Sequence, residues 1–206
     1  VRRRWVLLAA IGAFIILFDQ ASKFLAVKHL TPGLDERSGL SAIGRFYGDL
    51  DHPCRGRSRL DCPTVQVIEG VWYWRYVENP GAAWGFLRNT HPSIRRPFFL
   101  VVPVLAGLFI LSIFRGLREE QLWMIVALSL VFGGAIGNLI DRIHLSYVID
   151  FIDCYIGTYH WPTFNVADSA ISVGVVMMLL EWIRDAIRGK GKASTKAAKA
   201  SPKGAS

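Results

Sequence analysis

Four stretches of the chain stay apolar long enough to cross a bilayer as helices, at about 5–27, 97–114, 122–141 and 166–184, each near the roughly 20 residues that a hydrocarbon core requires. The segment 28–96 between the first two is polar, broken by Gly and Pro, and too long for a turn, so it predicts a small extramembrane layer. Within it, 65–77 alternates with period two and predicts one extended strand carrying Trp72, Trp74 and Tyr76 on a single face. Such rings suit a membrane–water interface. Pro97 fits the first turn of the second span, and Pro103 predicts a kink there unless neighbouring helices compensate. A hydrophilic hairpin at 115–120 leads into the third span, and 146–156 predicts an extended or irregular re-entry before the fourth. After Arg184 the residues turn to Lys, Ala, Ser and Gly, which predicts a basic, disordered tail over 189–206 near anionic headgroups. The expected fold class is an all-α membrane bundle of four transmembrane helices, one domain over 1–188.

Composition agrees with this class. Of 206 residues 52% are hydrophobic, and the mean hydropathy is +0.32, more apolar surface than one soluble core of this length hides. The net charge of +8 does not indicate nucleic acid, because Lys and Arg sit at the ends of apolar segments and in the tail rather than on a face interleaved with aromatics. Arg2, Arg3 and Arg4, the hairpin with Arg115 and Arg118, and the basic tail fall on one side, which the positive-inside rule makes the cytoplasm. Arg95 and Arg96 flank a span on the other side and run against that rule, which long loops obey weakly. The basic start followed by an apolar run resembles a signal peptide, but apolar character resumes beyond Asp19, Gln20 and Lys23 and no A-x-A site follows, so a retained first helix is expected. Cys54 and Cys62 share one polar loop and are competent to form a disulfide in an oxidising space, two free thiols being the alternative. No CxxC or Cys/His ligand spacing occurs, so a zinc site is not expected.

The informative residues are the polar ones set against this apolar background. Asp19 and Lys23 are four apart and share a helical face, either as an ion pair with Lys23 snorkelling outward or as part of a site. Gly133-x-x-x-Gly137 is a helix-packing pattern. Four spans bring Asp19, Lys23, Asn79, Asn138, Asp141, Arg142, Asp150, Asn165 and Asp168 to one level at the outer end of the bundle. Two carboxylates sharing a site cannot both ionise easily, so one keeps its proton. That asymmetry is what aspartyl proteolysis needs. The sequence holds no G-x-S-x-G elbow, no H-E-x-x-H and no phosphate loop ending in Lys-Ser/Thr. His144 and His160 read as surface or interface residues, and Cys154 lacks an activating base. Spacing leaves the carboxylate pair open. Asp141 stands at the carboxyl end of the third helix, where Arg142 can offset it, and Asp150 lies among apolar neighbours that would raise its pKa. Asp153 could face water, while Asp168 could serve only as a cap beside Asn165. Acids in membrane segments also suit a small transporter or channel subunit with an acid-lined ion path, which stands as the alternative.

Five blocks, F-D-Q-A-S-K at 18–23, N-P-G-A-A-W-G at 79–85, G-N-L-I-D-R at 137–142, V-I-D-F at 148–151 and F-N-V-A-D-S at 164–169, resemble in order those of lipoprotein signal peptidase, the signal peptidase II family. The resemblance implies an aspartyl endopeptidase of the bacterial inner membrane, with cytoplasmic termini and a site facing the periplasm. Such enzymes remove the signal peptide from diacylglyceryl-modified prolipoproteins, cutting before the lipidated cysteine. It further implies Asp150 and Asp168 as the catalytic dyad, with Asn138, Asp141, Arg142 and Asn165 as polar support, and no metal or organic cofactor. Asp19, Lys23, Asn79 and Gly81 match positions that brace the outer loops and the substrate groove. The strand-rich segment between helices 1 and 2 resembles the family's small periplasmic β-rich cradle. The expected partners are the prolipoprotein and membrane lipids, not nucleic acid, with the enzyme a monomer. Two departures stand out: Trp84 where the family has Phe, and a longer insert at about 34–63 with its paired cysteines.

Overall fold

Helix α1 covers Arg3–Leu30, α3 Pro92–Gly116 and α4 Leu122–His144, and α5 begins at Val166. The computed structural model describes residues 2–34, 38–48, 50, 52–54, 62–81, 87 and 89–200, the last thirteen as backbone only. All four helices are long and apolar enough to cross a membrane, the fourth over Val166–Ile187. α4 is the central one. It packs on α1, α3 and α5, and 44% of its apolar window is buried, against 17–28% in the other three.

Small residues set these contacts. A Cβ on Gly133 would stand 3.1 Å from the Gly12 Cα of α1, and one on Gly137 would stand 2.7 Å from the Asp19 carboxylate. Both glycines of the packing pattern thus face α1. Gly134 faces α5, where a Cβ would come within 2.5 Å of the Ala167 carbonyl. At the opposite end Arg4 clamps the α3–α4 hairpin: its Nη2 donates to the Arg115 carbonyl at 3.0 Å, and its backbone N–H donates to Glu119 at 2.8 Å. The charged guanidinium thereby satisfies a carbonyl at the open end of α3.

The boundaries differ from the expectations in instructive ways. α3 starts at Pro92, with the His91 side chain accepting from the Ser93 N–H, so Pro97 is interior rather than in the first turn. The helix runs unbroken through Pro97 and Pro103. The backbone of α5 is helical to Ala200, into the basic stretch that begins at 189. Ala and Lys are both favourable helix formers by propensity. Positions 201–206 lie outside the described residues.

The stretch 65–77 is not one strand. Gly70, at φ +69°, turns it into a hairpin of β1 (Thr64–Ile68) and β2 (Trp72–Asn79), a backbone conformation glycine adopts without strain. After α4 the re-entry forms β3 (Val148–Ile156), which turns into β4 (Tyr159–Phe164). The four strands make one antiparallel sheet in sequence order. Half of the expected cradle therefore comes from the segment between α4 and α5, not from between the first two spans. Tyr76 is buried, its hydroxyl 3.3 Å from that of Tyr147, rather than lying at an interface.

The insert forms a short helix, α2 (Gly39–Gly48), whose Phe46 joins Leu30, Tyr76, Ile149 and Phe151 in a core beneath the sheet. Cys54 and Cys62 are disulfide-bonded, and His52 lies 2.5 Å from Glu78 on β2. Trp84 lies outside the described residues.

Candidate active site

β2 and β3 pair so that Asn79 lies opposite Val148 and Val77 opposite Asp150. This register carries Asp150 to the mouth of the helix bundle, where α5 begins with Asp168 in its first turn. Asn165, ahead of α5, ties the two aspartates together. Its side-chain N–H donates to Asp150 Oδ1 at 2.7 Å, and its backbone N–H donates to Asp168 Oδ2 at 3.3 Å. The Asp168 N–H returns a bond to Asn165 Oδ1 at 2.9 Å. The reciprocal pair is a capping box, so Asp168 does cap the helix, using one oxygen. Its other oxygen accepts from Asn138 at 2.8 Å.

The remaining Asp150 oxygen accepts from Asn79 at 3.0 Å. Asn79 Oδ1 in turn accepts from the Gly81 N–H at 3.1 Å. The Gly81 carbonyl accepts from Arg142 at 3.2 Å, and the Arg142 guanidinium lies 4.7 Å from the centre of the Phe99 ring.

Below the aspartates sits a fully buried ion triad. Lys23 Nζ is 2.8 Å from Asp19, 2.9 Å from Asp141 and 3.1 Å from Asn138 Oδ1. Lys23 does not snorkel; it points inward from α1 onto α4, because two carboxylates and an amide replace water around it. The Asp19 carboxylate also takes the Ala167 N–H of α5 at 2.9 Å, and Asp141 takes the Ile149 N–H of β3 at 3.1 Å. Asp141 is thus neutralised by Lys23 from across the bundle rather than by neighbouring Arg142.

All ten residues singled out in the sequence fall on one connected hydrogen-bond network. Gln20 belongs to it as well, donating to Asp141 at 2.9 Å and to the Gly137 carbonyl at 3.2 Å, while accepting from Tyr47 of α2 at 3.1 Å. Its signal was present: an uncharged polar residue beside Asp19 inside an apolar helix. Tyr47 had none, since it reaches the network from the insert.

Asp153 does not face water. It is buried, with His160 at 2.5 Å and Thr163 at 3.1 Å on one oxygen and Arg75 at 3.6 Å on the other. Burial, and then the neighbouring Asp153 carboxylate, push the Cys154 thiol up, away from a reactive thiolate. Among the described residues no group of three His, Cys, Asp or Glu could hold a metal.

The chemistry available at the mouth is that of a carboxyl pair sharing a proton. Burial first, and the Asp168 charge second, push the Asp150 carboxyl up to about 8, against the opposing hydrogen bond from Asn79. Lys23 touches neither carboxyl: its hydrogen-bond link to the pair runs through Asn138, and its charge opposes the upward push on Asp150 from a distance. The donors that touch the two carboxyls are neutral N–H groups.

A sequence model of Signal peptidase (SPase) II matches residues 11–184. The lipoprotein signal peptidase of Anaeromyxobacter sp. (strain Fw109-5) is 43% identical over 198 residues, covering 94% of this chain and 90% of that protein. That of Geobacter metallireducens is 51% identical over 122 residues, covering 59% and 74% respectively. A bacterial membrane enzyme solved at 2.3 Å superposes with a TM-score of 0.64 at 28% identity, covering 87% of this chain and 88% of the solved one. With a match across most of its length and a network that joins every motif, the chain belongs to the signal peptidase II family.

Proposed function

We propose that this protein is a membrane aspartyl endopeptidase that removes the signal peptide from diacylglyceryl-modified prolipoproteins, cleaving before the lipidated cysteine. The observation that carries the reading is the pairing of Asp150 and Asp168 through Asn165 at the mouth of the bundle, in a chain of this family. An acid-lined ion path finds no support in the family or in the placement of the acids, which gather at one end.

In the mechanism, the ionised member of the pair accepts a proton from a water molecule as its oxygen attacks the scissile carbonyl. The protonated member donates to the carbonyl oxygen, so a neutral tetrahedral intermediate forms. Its collapse breaks the C–N bond, returns the hydroxyl proton to the second aspartate and delivers the first proton to the leaving amine. Asn79, Asn138 and Asn165 hold the carboxyls at fixed rotamers. Arg142 and Gly81 orient the backbone beside them, and the triad of Asp19, Lys23 and Asp141 fixes α1, α4, α5 and β3 relative to one another.

The setting completes the reading: the inner membrane of a bacterium, both termini cytoplasmic, the sheet and active site facing the periplasm, and the peptidase domain over 1–188 acting as a monomer. The basic residues at the Arg4 and hairpin end support this orientation. Purified protein in detergent is incubated with a diacylglyceryl-modified prolipoprotein and with its unmodified precursor, beside Asp150→Asn and Asp168→Asn. Only the lipidated substrate should shift on a gel, and each variant, folded as judged by its melting curve, should lose at least about a thousandfold in rate. Cleavage by either variant at near the parent rate would overturn the assignment of the pair.

A further inference from the structure

We propose that Tyr47 of α2 is a positioning residue for Asp150, acting from the insert through Gln20 and Asp141. The inference rests on the peptidase reading above. The Tyr47 hydroxyl donates to Gln20 Oε1 at 3.1 Å. Gln20 Nε2 donates to Asp141 Oδ1 at 2.9 Å and to the Gly137 carbonyl at 3.2 Å, and lies 3.3 Å from Asp19 Oδ2. The other Asp141 oxygen accepts the Ile149 N–H of β3 at 3.1 Å, one residue before Asp150. Two side chains therefore separate the phenol from the backbone that carries the aspartate.

Each link depends on the one before it. The buried Gln20 amide turns its nitrogen to the carboxylates, so its oxygen faces away from them and needs a donor, which Tyr47 supplies. Asp141 uses both oxygens: Gln20 sets one, while Lys23 and the Ile149 N–H share the other. A carboxylate that turns to make up a bond lost at the first oxygen moves the second, and β3 with it. Misplacing a reacting group by about 1 Å costs on the order of a hundredfold in rate.

Several contacts hold the insert where this hydroxyl meets the network. Phe46 is buried against Phe24 of α1, and the Tyr47 ring stands edge-on to Phe46 and, at 5.7 Å, to His144 at the end of α4. Leu50 and Pro53 pack on Gly33, where a Cβ would come within 2.8 Å and 3.1 Å of them. His52 reaches Glu78, which is the partner of Ile149 across the β2–β3 ladder, and the Cys54–Cys62 disulfide follows. Burial, and then the charges of Asp141 and Asp19, push the Tyr47 phenol up, so it stays protonated and donates.

The test uses the whole protein in detergent with the diacylglyceryl-modified prolipoprotein, for the parent, Tyr47→Phe, Gln20→Met and the double variant. Tyr47→Phe keeps the ring and removes one hydrogen bond, worth about two- to tenfold. Its kcat should fall by that factor with KM unchanged, at a temperature where melting curves show every variant folded. In the Gln20→Met background the hydroxyl should have no effect on kcat, whereas a general packing role would lower kcat in both backgrounds. Amide hydrogen exchange, read by mass spectrometry, should quicken in Tyr47→Phe by about two- to tenfold on the peptide spanning 147–152 and stay at the parent rate on that spanning 64–68. Exchange needs neither cleavage nor a folded Gln20→Met. A parent that leaves the substrate uncut would therefore refute the peptidase reading, while exchange at 147–152 still decides whether Tyr47 holds the strand. Parental kcat in Tyr47→Phe, an equal fall in the Gln20→Met background, or unchanged exchange at 147–152 would each overturn the proposal.

Discussion

Lys23→Met removes one charge from a fully buried polar cluster while keeping most of the side-chain volume. Lys23 and Asp19 are 0% exposed and Asp141 is 2% exposed, and the ammonium contacts both carboxylates within 3 Å as well as Asn138. Removing one partner of a buried pair costs about 3–5 kcal/mol, because the other charge is left uncompensated. Here two carboxylates are stranded, so the upper part of that range applies. In a chain of this size each kcal/mol moves the melting temperature by about 2–4 °C, so about 4–5 kcal/mol gives a fall of about 8–20 °C. The assay is thermal unfolding in detergent, followed by intrinsic fluorescence, for the parent, Lys23→Met, Asp141→Asn and the double variant. The double variant should recover part of the loss, with a coupling of about 1–3 kcal/mol, since it removes a stranded charge along with its cation. Turnover of Lys23→Met should also fall, because Lys23 fixes the Asn138 amide with its N–H toward Asp168. Melting within about 2 °C of the parent, or a cycle that adds to within about 0.5 kcal/mol, would falsify the claim that this triad is held by its charges.

Three further outcomes follow from the geometry. With the Asp150 carboxyl pushed up to about 8, the pair keeps a shared proton below that pH and becomes doubly ionised above it, so kcat/KM should fall on the alkaline side of about 8; a rate that climbs steadily through that region contradicts a pair needing one proton. Gly134→Ala would bring a Cβ within 2.5 Å of the Ala167 carbonyl and should destabilise the protein by about 1–3 kcal/mol in melting experiments, whereas Gly44→Ala in α2 meets nothing within 4 Å and should be neutral or gain up to about 1 kcal/mol. Asp153→Asn should retain most cleavage activity, since its contacts with His160, Thr163 and Arg75 lie outside the ten-residue network, but should cost about 1–3 kcal/mol of stability; loss of activity without loss of stability would place Asp153 in the chemistry.

Much of the bundle could be read from the sequence because membrane spans carry their signal locally. Length and hydropathy set the four helices, and the small residues at 133 and 137 marked the contact with α1. The sheet was legible only in part, because strand pairing is a long-range choice. The hairpin turn at Gly70 is one residue in a run that otherwise alternates, and nothing local to 148–156 states that it will pair with 72–79. The same limit explains Lys23 and Asp141. Each had a charged neighbour in sequence that offered a sufficient partner, Asp19 for one and Arg142 for the other, and the fold joined them across the bundle as well, with Lys23 keeping Asp19. Asp153 illustrates the converse: its partners His160 and Thr163 arrive on β4, whose pairing with β3 had no motif to announce it.

The distance between Lys23 and the aspartate pair bears on the proposed chemistry. A lysine ammonium in direct contact with Asp150 or Asp168 would favour ionisation of both carboxyls and so remove the proton that polarises the substrate carbonyl. Omitting the cation altogether would leave Asp19 and Asp141 buried without compensation, and the four elements they join would lose their common anchor. The structure separates the two needs by one amide. Lys23 makes its ion pairs with Asp19 and Asp141 and orients Asn138, and its link to Asp168 is the neutral N–H of Asn138 rather than a direct contact. Asn165 repeats the arrangement on Asp150. Neutral donors fix where the carboxyl oxygens point while leaving burial to govern their ionisation, so the pair can hold one proton near neutral pH. Asn138→Asp tests this directly, since it replaces the intervening amide with a carboxylate that can take the charge of Lys23 but has no N–H for Asp168. Activity should fall by at least about a hundredfold while the melting temperature falls less than in Lys23→Met, and a variant that cleaves at the parent rate would show that the amide's donor is dispensable.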